Sequence, residues 1–237
     1  FGLFLFTFLK QINNLMAKST FLSSSIARKV AMALSGLFLI TFLALHFFIN
    51  LTSVFSEDFF NEASHFMGYN PLIQFVMQPV LVAGVVFHFV MGMVLEMKNR
   101  NARPVAYAKY DGAANASWAS RNMIISGLVV LAFLGLHMYD FWLQEIVYKY
   151  VDVNAVDTAR YYEELVHKFE SPVRTGLYCI AFLLLSLHLW HGFSSAFQSV
   201  GFNNKFSKSV QKLGYAFAIV VPFGFIFIAL FHHFFNN

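Results

Sequence analysis

The segments LSGLFLITFLALHF (residues 34–47) and ISGLVVLAFLGLHM (residues 125–138) repeat one pattern within a single chain. Each carries Ser-Gly, continues through an almost entirely apolar run, and reaches a histidine ten residues after the glycine. A second pair, FHFVMG (residues 87–92) and LHLWHG (residues 187–192), places a histidine four residues before a glycine in both copies. This duplication predicts two similar halves that hold four histidines inside apolar stretches.

The composition indicates an integral membrane protein. Of the 237 residues, 58% are hydrophobic and only 12% are charged, whereas an average soluble domain has about 25% charged residues. A helix needs about 20 apolar residues to cross a bilayer, and five stretches are long enough: residues 30–54, 72–97, 121–143, 172–196 and 210–235. The runs do not alternate as barrel strands do, and helices satisfy their own backbone groups in lipid. We therefore predict an all-α integral membrane bundle of five transmembrane helices.

We divide the chain into an N-terminal cytoplasmic or interfacial segment, residues 1–29, and one transmembrane domain, residues 30–237. Residues 1–15 are too short and too interrupted for a span, and we expect an upstream extension before Met16 or an interfacial segment. The single cysteine, Cys179, excludes a disulfide within the chain and a thiolate metal cluster. The basic residues are spread over short loops, so the net charge of +4 does not indicate nucleic acid as a partner.

Charges in the connections predict the orientation. Lys and Arg predominate before the first span, between the second and third, and between the fourth and fifth. The loops 55–71 and 144–171 carry more acidic than basic residues. Because basic loops stay in the cytoplasm, we predict a cytoplasmic N-terminus and a periplasmic C-terminus. His232 and His233 then lie at the outer end of the last span, where we expect both at the interface.

This orientation places the four histidines at two depths. Each lies about 16 residues into its span, which is about 24 Å of helix. The first and third spans run outward, so His46 and His137 share an outer level, while His88 and His188 share an inner level. The two levels are about 15–20 Å apart in a hydrocarbon core about 30 Å thick. Ionisable residues are costly in a membrane and tend to be functional, so four matched histidines predict binding sites rather than packing.

Two imidazoles at each level suit haem better than a bare metal ion. Zinc takes four ligands, or three and a water, but no Cys or Glu lies within one turn of these histidines, and Asp140 near His137 is the only acid that close. A proton relay would need further carboxylates within the spans. Haem iron takes two axial ligands and the porphyrin takes an apolar slot. The pattern therefore predicts two b-type haems enclosed by the five helices.

Small residues near the histidines are candidates for contact with these haems. They lie about one or three helical turns from the histidines and comprise Ser35, Gly36, Gly92, Ser126, Gly127 and Gly192. Glycines let backbones or a bulky group approach closely, so they could admit a porphyrin face or edge, with plain helix packing as the alternative. The serines could bond either the backbone or the haem edge.

The chain resembles the single-chain, di-haem cytochrome b membrane anchor of the succinate:quinone oxidoreductases, which comprise succinate dehydrogenase and fumarate reductase. The resemblance covers about residues 18–235 and rests on ALSGLFLITFLALHFFIN, FHFVMGMVLEMKNR, ISGLVVLAFLGLHMYD and LHLWHGFSSAFQSVG. The last segment is the most specific. Members of this family have five spans, a cytoplasmic N-terminus and two haems that are each ligated by two histidines.

The resemblance implies a role for each histidine. His88 and His188 would ligate a proximal haem near the cytoplasmic iron–sulfur subunit, and His46 and His137 would ligate a distal haem. The chain would pass electrons between that subunit and a membrane quinone, with menaquinone the usual substrate of the di-haem type. Succinate or fumarate chemistry belongs to a flavoprotein subunit in this family. The implied location is the bacterial cytoplasmic membrane, and a dimer of complexes stays open.

The acidic loop 55–71 holds candidates for a quinone site. A quinone takes up two protons on reduction, so its site needs an acid or a base near water. Glu57, Glu62 and His65, beside Asp58, lie close in sequence to the outer histidine level. The alternative is that these are solvated loop charges.

Other side chains could contact a haem without ligating its iron. Arg28, Lys29 and Arg121 lie at the inner face, where they could pair with haem propionates in addition to setting the orientation. His191 follows His188 by three residues on nearly the same helix face. We expect His188 to be the ligand, and His191 to contact a haem edge, a propionate or a quinone.

Three other classes of protein are weighed against this interpretation. The cytochrome b of a hydrogenase, formate dehydrogenase or nitrate reductase also pairs histidines across helices, but the ligand spacing and the LHLWHGF segment favour the succinate family. A di-iron hydroxylase or desaturase would need several clustered HxxHH boxes, and this chain has one HxxH and one HH on opposite sides. A transporter or structural anchor predicts a colourless protein.

Overall fold

The computed structural model describes residues 24–101 and 122–235, and these form seven helices and no strand. In chain order they are α1 (Ser25–Thr52), α2 (Glu57–Tyr69), α3 (Ile73–Asn101), α4 (Met123–Val151), α5 (Arg160–Glu170), α6 (Pro172–Ser199) and α7 (Ser207–Phe235). Five of them, α1, α3, α4, α6 and α7, are long and apolar enough to cross a membrane. The prediction of an all-α, multi-pass membrane chain with five spans is confirmed.

Local sequence explains where several helices begin and end. The Ser56 hydroxyl accepts a hydrogen bond from the Phe59 amide at the start of α2, and Ser171 caps α6 in the same way. Pro172 follows at the first position of α6, where its missing amide hydrogen costs nothing. Beyond the end of α6, Gly201 adopts a positive φ of 85°, a conformation that favours glycine.

Two predicted loops are wrong, because they contain helix. Residues 55–71 include α2, and residues 144–171 include α5 together with the last two turns of α4. The α4 helix continues to Val151, beyond the expected end at residue 143, through π-helical turns. Polar residues can extend a span in this way because Glu145 and Lys149 pair along the helix.

The spans form a four-helix bundle with a fifth helix against it. Helix α1 packs against α3 and α6, and α4 packs against α6 and more loosely against α3. Therefore α1 and α4 face each other diagonally across the bundle, as do α3 and α6. Helix α7 packs mainly along α6 and also contacts α1.

The short helices α2 and α5 pack together and cover one end of the bundle, which we call the capped end. The largest buried hydrophobic cluster of the described residues joins these helices to the spans, and it includes Phe60, Leu165, Phe169, Tyr178, Phe182 and Phe225. The outer faces of the spans expose large apolar side chains such as Phe75, Val220 and Phe227. Such faces suit contact with lipid rather than water.

Candidate functional site

The structure arranges the four repeated histidines as two pairs. The ring centroids of His46 and His137 are 5.6 Å apart with an interplanar angle of 82°, and we call these residues the first pair. The centroids of His88 and His188 are 6.4 Å apart at 68°, and these residues form the second pair. Each pair joins diagonally opposite helices, α1 with α4 or α3 with α6. Both pairs therefore face the interior of the bundle.

The two pairs occupy different levels along the bundle. Ser35 of α1 contacts the second pair and lies eleven residues before His46 of the first pair. At 1.5 Å per residue this is about 16 Å along the helix. The first pair is the nearer one to the capped end, because α1 runs towards that end.

Aromatic side chains enclose the first pair. The ring of Phe42 stacks on His46 with centroids 5.5 Å apart, and the centroid of the Phe225 ring is 5.8 Å from that of the same imidazole. Phe141 lies 5.2 Å from His137. Within the described part of the chain, the buried Nδ1 of His137 has no hydrogen-bond partner. A buried ring nitrogen costs free energy unless something binds that nitrogen.

The α1 side of the second pair is built by consecutive residues. The Ser35 hydroxyl lies 3.0 Å from Nδ1 of His88, and it donates to the Met32 carbonyl at 2.8 Å. A Cβ atom added to Gly36 would lie 3.4 Å from Cε1 of the same imidazole. The imidazole therefore rests against a helix surface that has no side chain at this point.

The α4 side repeats this arrangement on the other histidine. The Ser126 hydroxyl lies 3.3 Å from Nδ1 of His188 and donates to the Met123 carbonyl at 3.0 Å. A Cβ atom on Gly127 would lie 3.4 Å from Cε1 of His188. The duplicated Ser-Gly segments thus contact equivalent histidines in the two halves of the chain.

The other two predicted glycines contact methionines instead of histidines. A Cβ atom on Gly92 would lie 3.5 Å from Cε of Met32, and one on Gly192 would lie 3.2 Å from Cε of Met123. These glycines lie four residues after His88 and His188. They allow close packing of α3 on α1 and of α6 on α4.

The donors at each level can be compared with what a haem needs. Among the described residues, no group of three or more His, Cys, Asp or Glu side chains converges. Each level instead presents two opposed imidazoles among apolar side chains. Two axial nitrogen ligands in an apolar slot are what a b-type haem needs, so the residues present fit that group.

The other residues that the sequence predicts to contact a haem are His191, Arg28, Lys29 and Arg121. His188, and not His191, lies beside His88, and His191 is half-buried one turn further along α6. Arg28 and Lys29 lie in the first two turns of α1, at the end of the bundle away from α2 and α5. Arg121 lies outside the described residues.

The predicted quinone-site residues lie on α2 at the capped end. Glu57, Asp58 and Glu62 are exposed. The imidazole of His65 stacks on Tyr69 with centroids 4.5 Å apart, and its buried Nδ1 has no hydrogen-bond partner among the described residues. His65 is therefore the member of this set that faces the protein interior.

A buried carboxylate near the first pair was not included among the predicted site residues. Asp140 is 1% exposed, forms an ion pair with Arg174 and accepts a 2.8 Å hydrogen bond from the Tyr178 hydroxyl. The Tyr178 ring in turn lies edge-on to His137, with centroids 6.3 Å apart. The spacing of three residues between His137 and Asp140 indicates a shared helix face, but the partners on α6 cannot be found from that spacing.

A second polar cluster connects α4 to the short helices α2 and α5, which together we call the cap. Arg160 and Lys149 both pair with Glu145, and the ammonium group of Lys149 donates to the Gly68 carbonyl at 2.6 Å. Burial alone would lower the pKa of Arg160, but its hydrogen bonds to Glu145 and to a second glutamate raise that pKa. Burial, together with the Glu145 carboxylate, raises the pKa of Tyr161 above its ordinary value. These contacts hold α2 and α5 on the bundle.

The expectation that His232 is interfacial is wrong. Its side chain is fully buried, and its Nε2 lies 2.8 Å from the Ser53 hydroxyl at the end of α1. His233 is half-buried and lies 2.7 Å from the Phe169 carbonyl through its Nδ1. Helices α2 and α5 cover this end of α7, so the His232 side chain is packed inside protein instead of facing the interface.

Comparisons of the chain with protein-family models, with curated proteins and with solved structures find no match.

Proposed function

We propose that this chain is a di-haem cytochrome b that anchors a succinate:quinone oxidoreductase in the membrane and passes electrons between an iron–sulfur subunit and quinone. The single observation that carries the proposal is the pairing of four half-buried histidines at two levels of one bundle. The resemblance of the duplicated segments to that family supplies the choice among haem proteins.

In this proposal the first pair and the second pair each hold one haem b. A bound haem supplies one-electron transfer. The protein would supply two imidazoles at each level, the aromatic and aliphatic surroundings that exclude water, and the glycines that leave room beside His88 and His188. The separation of about 16 Å between the pairs along the helix axis spans much of a hydrocarbon core about 30 Å thick. Two sites at this spacing suit electron transfer across the bilayer.

The orientation and the partners belong to the same proposal. Basic residues at the N-terminal end of α1 support a cytoplasmic location for that end, and the family resemblance supports a bacterial membrane. In this proposal the second pair lies on the cytoplasmic side, towards an iron–sulfur subunit and its flavoprotein. The capped end then faces the periplasm. His65, Glu57 and Glu62 of α2 lie at this end, where a quinone, with menaquinone the expected one, could exchange protons with water.

The test is to purify the chain, record its reduced-minus-oxidised spectrum and count haem per polypeptide. We expect two b-type haems. His46→Ala should remove the signal of one haem, and His88→Ala should remove that of the other. His167→Ala is the matched control, because His167 is 76% exposed on α5 and pairs only with Glu170 among the described residues.

Two outcomes would contradict the proposal. A colourless purified chain would leave a transporter or a structural anchor. One haem per chain, lost in both the His46 and the His88 variant, would show that the two pairs do not form separate sites. If two haems are found, reconstitution with the iron–sulfur and flavoprotein subunits of a succinate dehydrogenase tests the choice of family. We expect succinate to reduce the haems, which it would not do in the other cytochrome b classes.

A further inference from the structure

We propose that Ser35 and Ser126 are positioning residues, which hold His88 and His188 in the one tautomer and orientation that present Nε2 to a metal centre. This inference rests on the proposed function, since it assigns iron to the second pair. Neither hydroxyl would touch the haem in this role. Each would act through the imidazole that it contacts.

The tautomer of His88 follows from counting hydrogens. A serine hydroxyl has one hydrogen, and Ser35 donates it to the Met32 carbonyl at 2.8 Å, because a carbonyl can only accept. The oxygen can then only accept from Nδ1 of His88, 3.0 Å away. The hydrogen of the neutral imidazole is therefore on Nδ1, and the lone pair is on Nε2.

The same count holds in the other half of the chain. Ser126 donates its hydrogen to the Met123 carbonyl at 3.0 Å and accepts from Nδ1 of His188 at 3.3 Å. His188 therefore also has its lone pair on Nε2. Two facing imidazoles with free Nε2 lone pairs provide two acceptors and no donor, a set that suits a Lewis-acidic metal.

The glycine that follows each serine leaves room for the ring beside the helix. Cε1 of His88 is 3.4 Å from the position that a Cβ atom of Gly36 would occupy, and Cε1 of His188 is at the same distance from that position on Gly127. The ring can therefore approach the helix closely enough for its Nδ1 to reach the serine hydroxyl. Hydrogen bonds of this kind orient metal-binding histidines and increase their basicity.

In the described part of the chain, no serine or threonine hydroxyl contacts a ring nitrogen of the first pair. The buried Nδ1 of His137 lacks a partner among the described residues, and the Asn50 amide is 3.5 Å from both ring nitrogens of His46. The Ser-Gly element is therefore specific to the second pair. This accounts for the duplicated segment, since each copy supplies one ligand to the first pair and positions one ligand of the second pair.

The test compares Ser35→Ala and Ser126→Ala with Ser35→Thr in the purified haem-loaded chain. Loss of the bond to Nδ1 should accelerate transfer of the second-pair haem to an apo-globin acceptor by about 10–100-fold, with the first-pair haem unchanged. A less basic imidazole favours ferrous iron, so the midpoint potential of that haem should rise. Threonine keeps the hydroxyl and should restore both values.

Thr41→Val is the matched control, because Thr41 of α1 donates to the Leu37 carbonyl at 3.0 Å and is exposed. It loses the same kind of helix bond without affecting an imidazole, so neither haem should change. Unchanged haem transfer and potential in both alanine variants would overturn the inference while leaving the two haems in place. Equal loss of both haems would also overturn it, because the hydroxyls would then support folding. A wild-type chain without haem would instead refute the proposed function.

Discussion

Replacement of Asp140 by alanine should destabilise the chain, because the carboxylate links α4 to α6 inside the bundle. Its side chain is fully buried, pairs with Arg174 and accepts a hydrogen bond from the Tyr178 hydroxyl at 2.8 Å. Tyr178 is only 2% exposed, so its hydroxyl would have no access to water. Arg174 is different, since 31% of its side chain is exposed and water can partly solvate its charge.

The magnitude can be worked from these two contacts. A hydrogen bond between membrane helices contributes about 0.6 kcal/mol on average and at most about 1.7 kcal/mol. Breaking a fully buried ion pair costs about 3–5 kcal/mol, and the exposure of Arg174 lowers this to about 1–3 kcal/mol. Asp140→Ala should therefore reduce the free energy of unfolding by about 2–5 kcal/mol.

A double-mutant cycle with Tyr178→Phe isolates the hydrogen bond. Tyr178→Phe should cost about 0.6–1.7 kcal/mol in the wild-type background and almost nothing in Asp140→Ala, where no carboxylate remains. Asp140→Asn keeps an acceptor for the hydroxyl and should lose only the ion-pair contribution. Unfolding in mixed micelles with an increasing fraction of sodium dodecyl sulfate, followed by circular dichroism, measures each value.

Additive effects of Asp140→Ala and Tyr178→Phe would refute this reasoning, because they would show that the two side chains do not interact. A loss below about 0.5 kcal/mol for Asp140→Ala would refute the burial argument as well, since that is the range of surface substitutions.

Three further predictions concern the cap and the packing of α7. Arg160→Met should lower the free energy of unfolding by about 2–4 kcal/mol, because Glu145 would lose one of its buried cations. Thermal unfolding in detergent should show the same loss at low and at high salt. A loss confined to low salt would contradict this prediction. The raised pKa of Tyr161 means that the folded state resists ionisation of this side chain, so the free energy of unfolding should fall as the pH rises above about 10. The fall should be less steep in Tyr161→Phe. Equal slopes of unfolding free energy against pH in the wild type and the variant, between about pH 8.5 and 11, would contradict this prediction. Gly214→Ala would place its Cβ atom 2.9 Å from Cγ of Phe193, and it should lower the free energy of unfolding by about 1–3 kcal/mol. The same unfolding assay measures this change. A variant as stable as the wild type would contradict the prediction and show that the α6–α7 contact can relax.

The candidate site could be predicted in outline because repeated segments restrict it along the helix axis. An apolar run sets where a span lies in the bilayer, and the residue count along it then sets the depth of a histidine at 1.5 Å per residue. The same count predicts that His46 and His137, or His88 and His188, share a level. The structure places these rings side by side, and whether they bind haem stays a prediction.

Contacts between helices required the tertiary structure. The Ser53 hydroxyl and the His232 imidazole are separated by 179 residues, and they meet only because the cap holds the ends of α1 and α7 together. The interaction of Asp140 with Arg174 depends in the same way on how α4 and α6 are rotated about their axes. Apolar residues surround each span on nearly every side, so hydrophobic periodicity does not specify that rotation.

The sequence alone therefore determined the number of spans, the all-α class and which histidines share a level, because bilayer thickness and helical rise act on each segment separately. The tertiary structure decided which side chains face each other: the serine hydroxyls on Nδ1 of His88 and His188, the buried carboxylate of Asp140, and the polar cluster that fastens the cap. Those contacts depend on side-chain packing between helices that are distant in sequence, and this packing selects one rotation and one register for each helix.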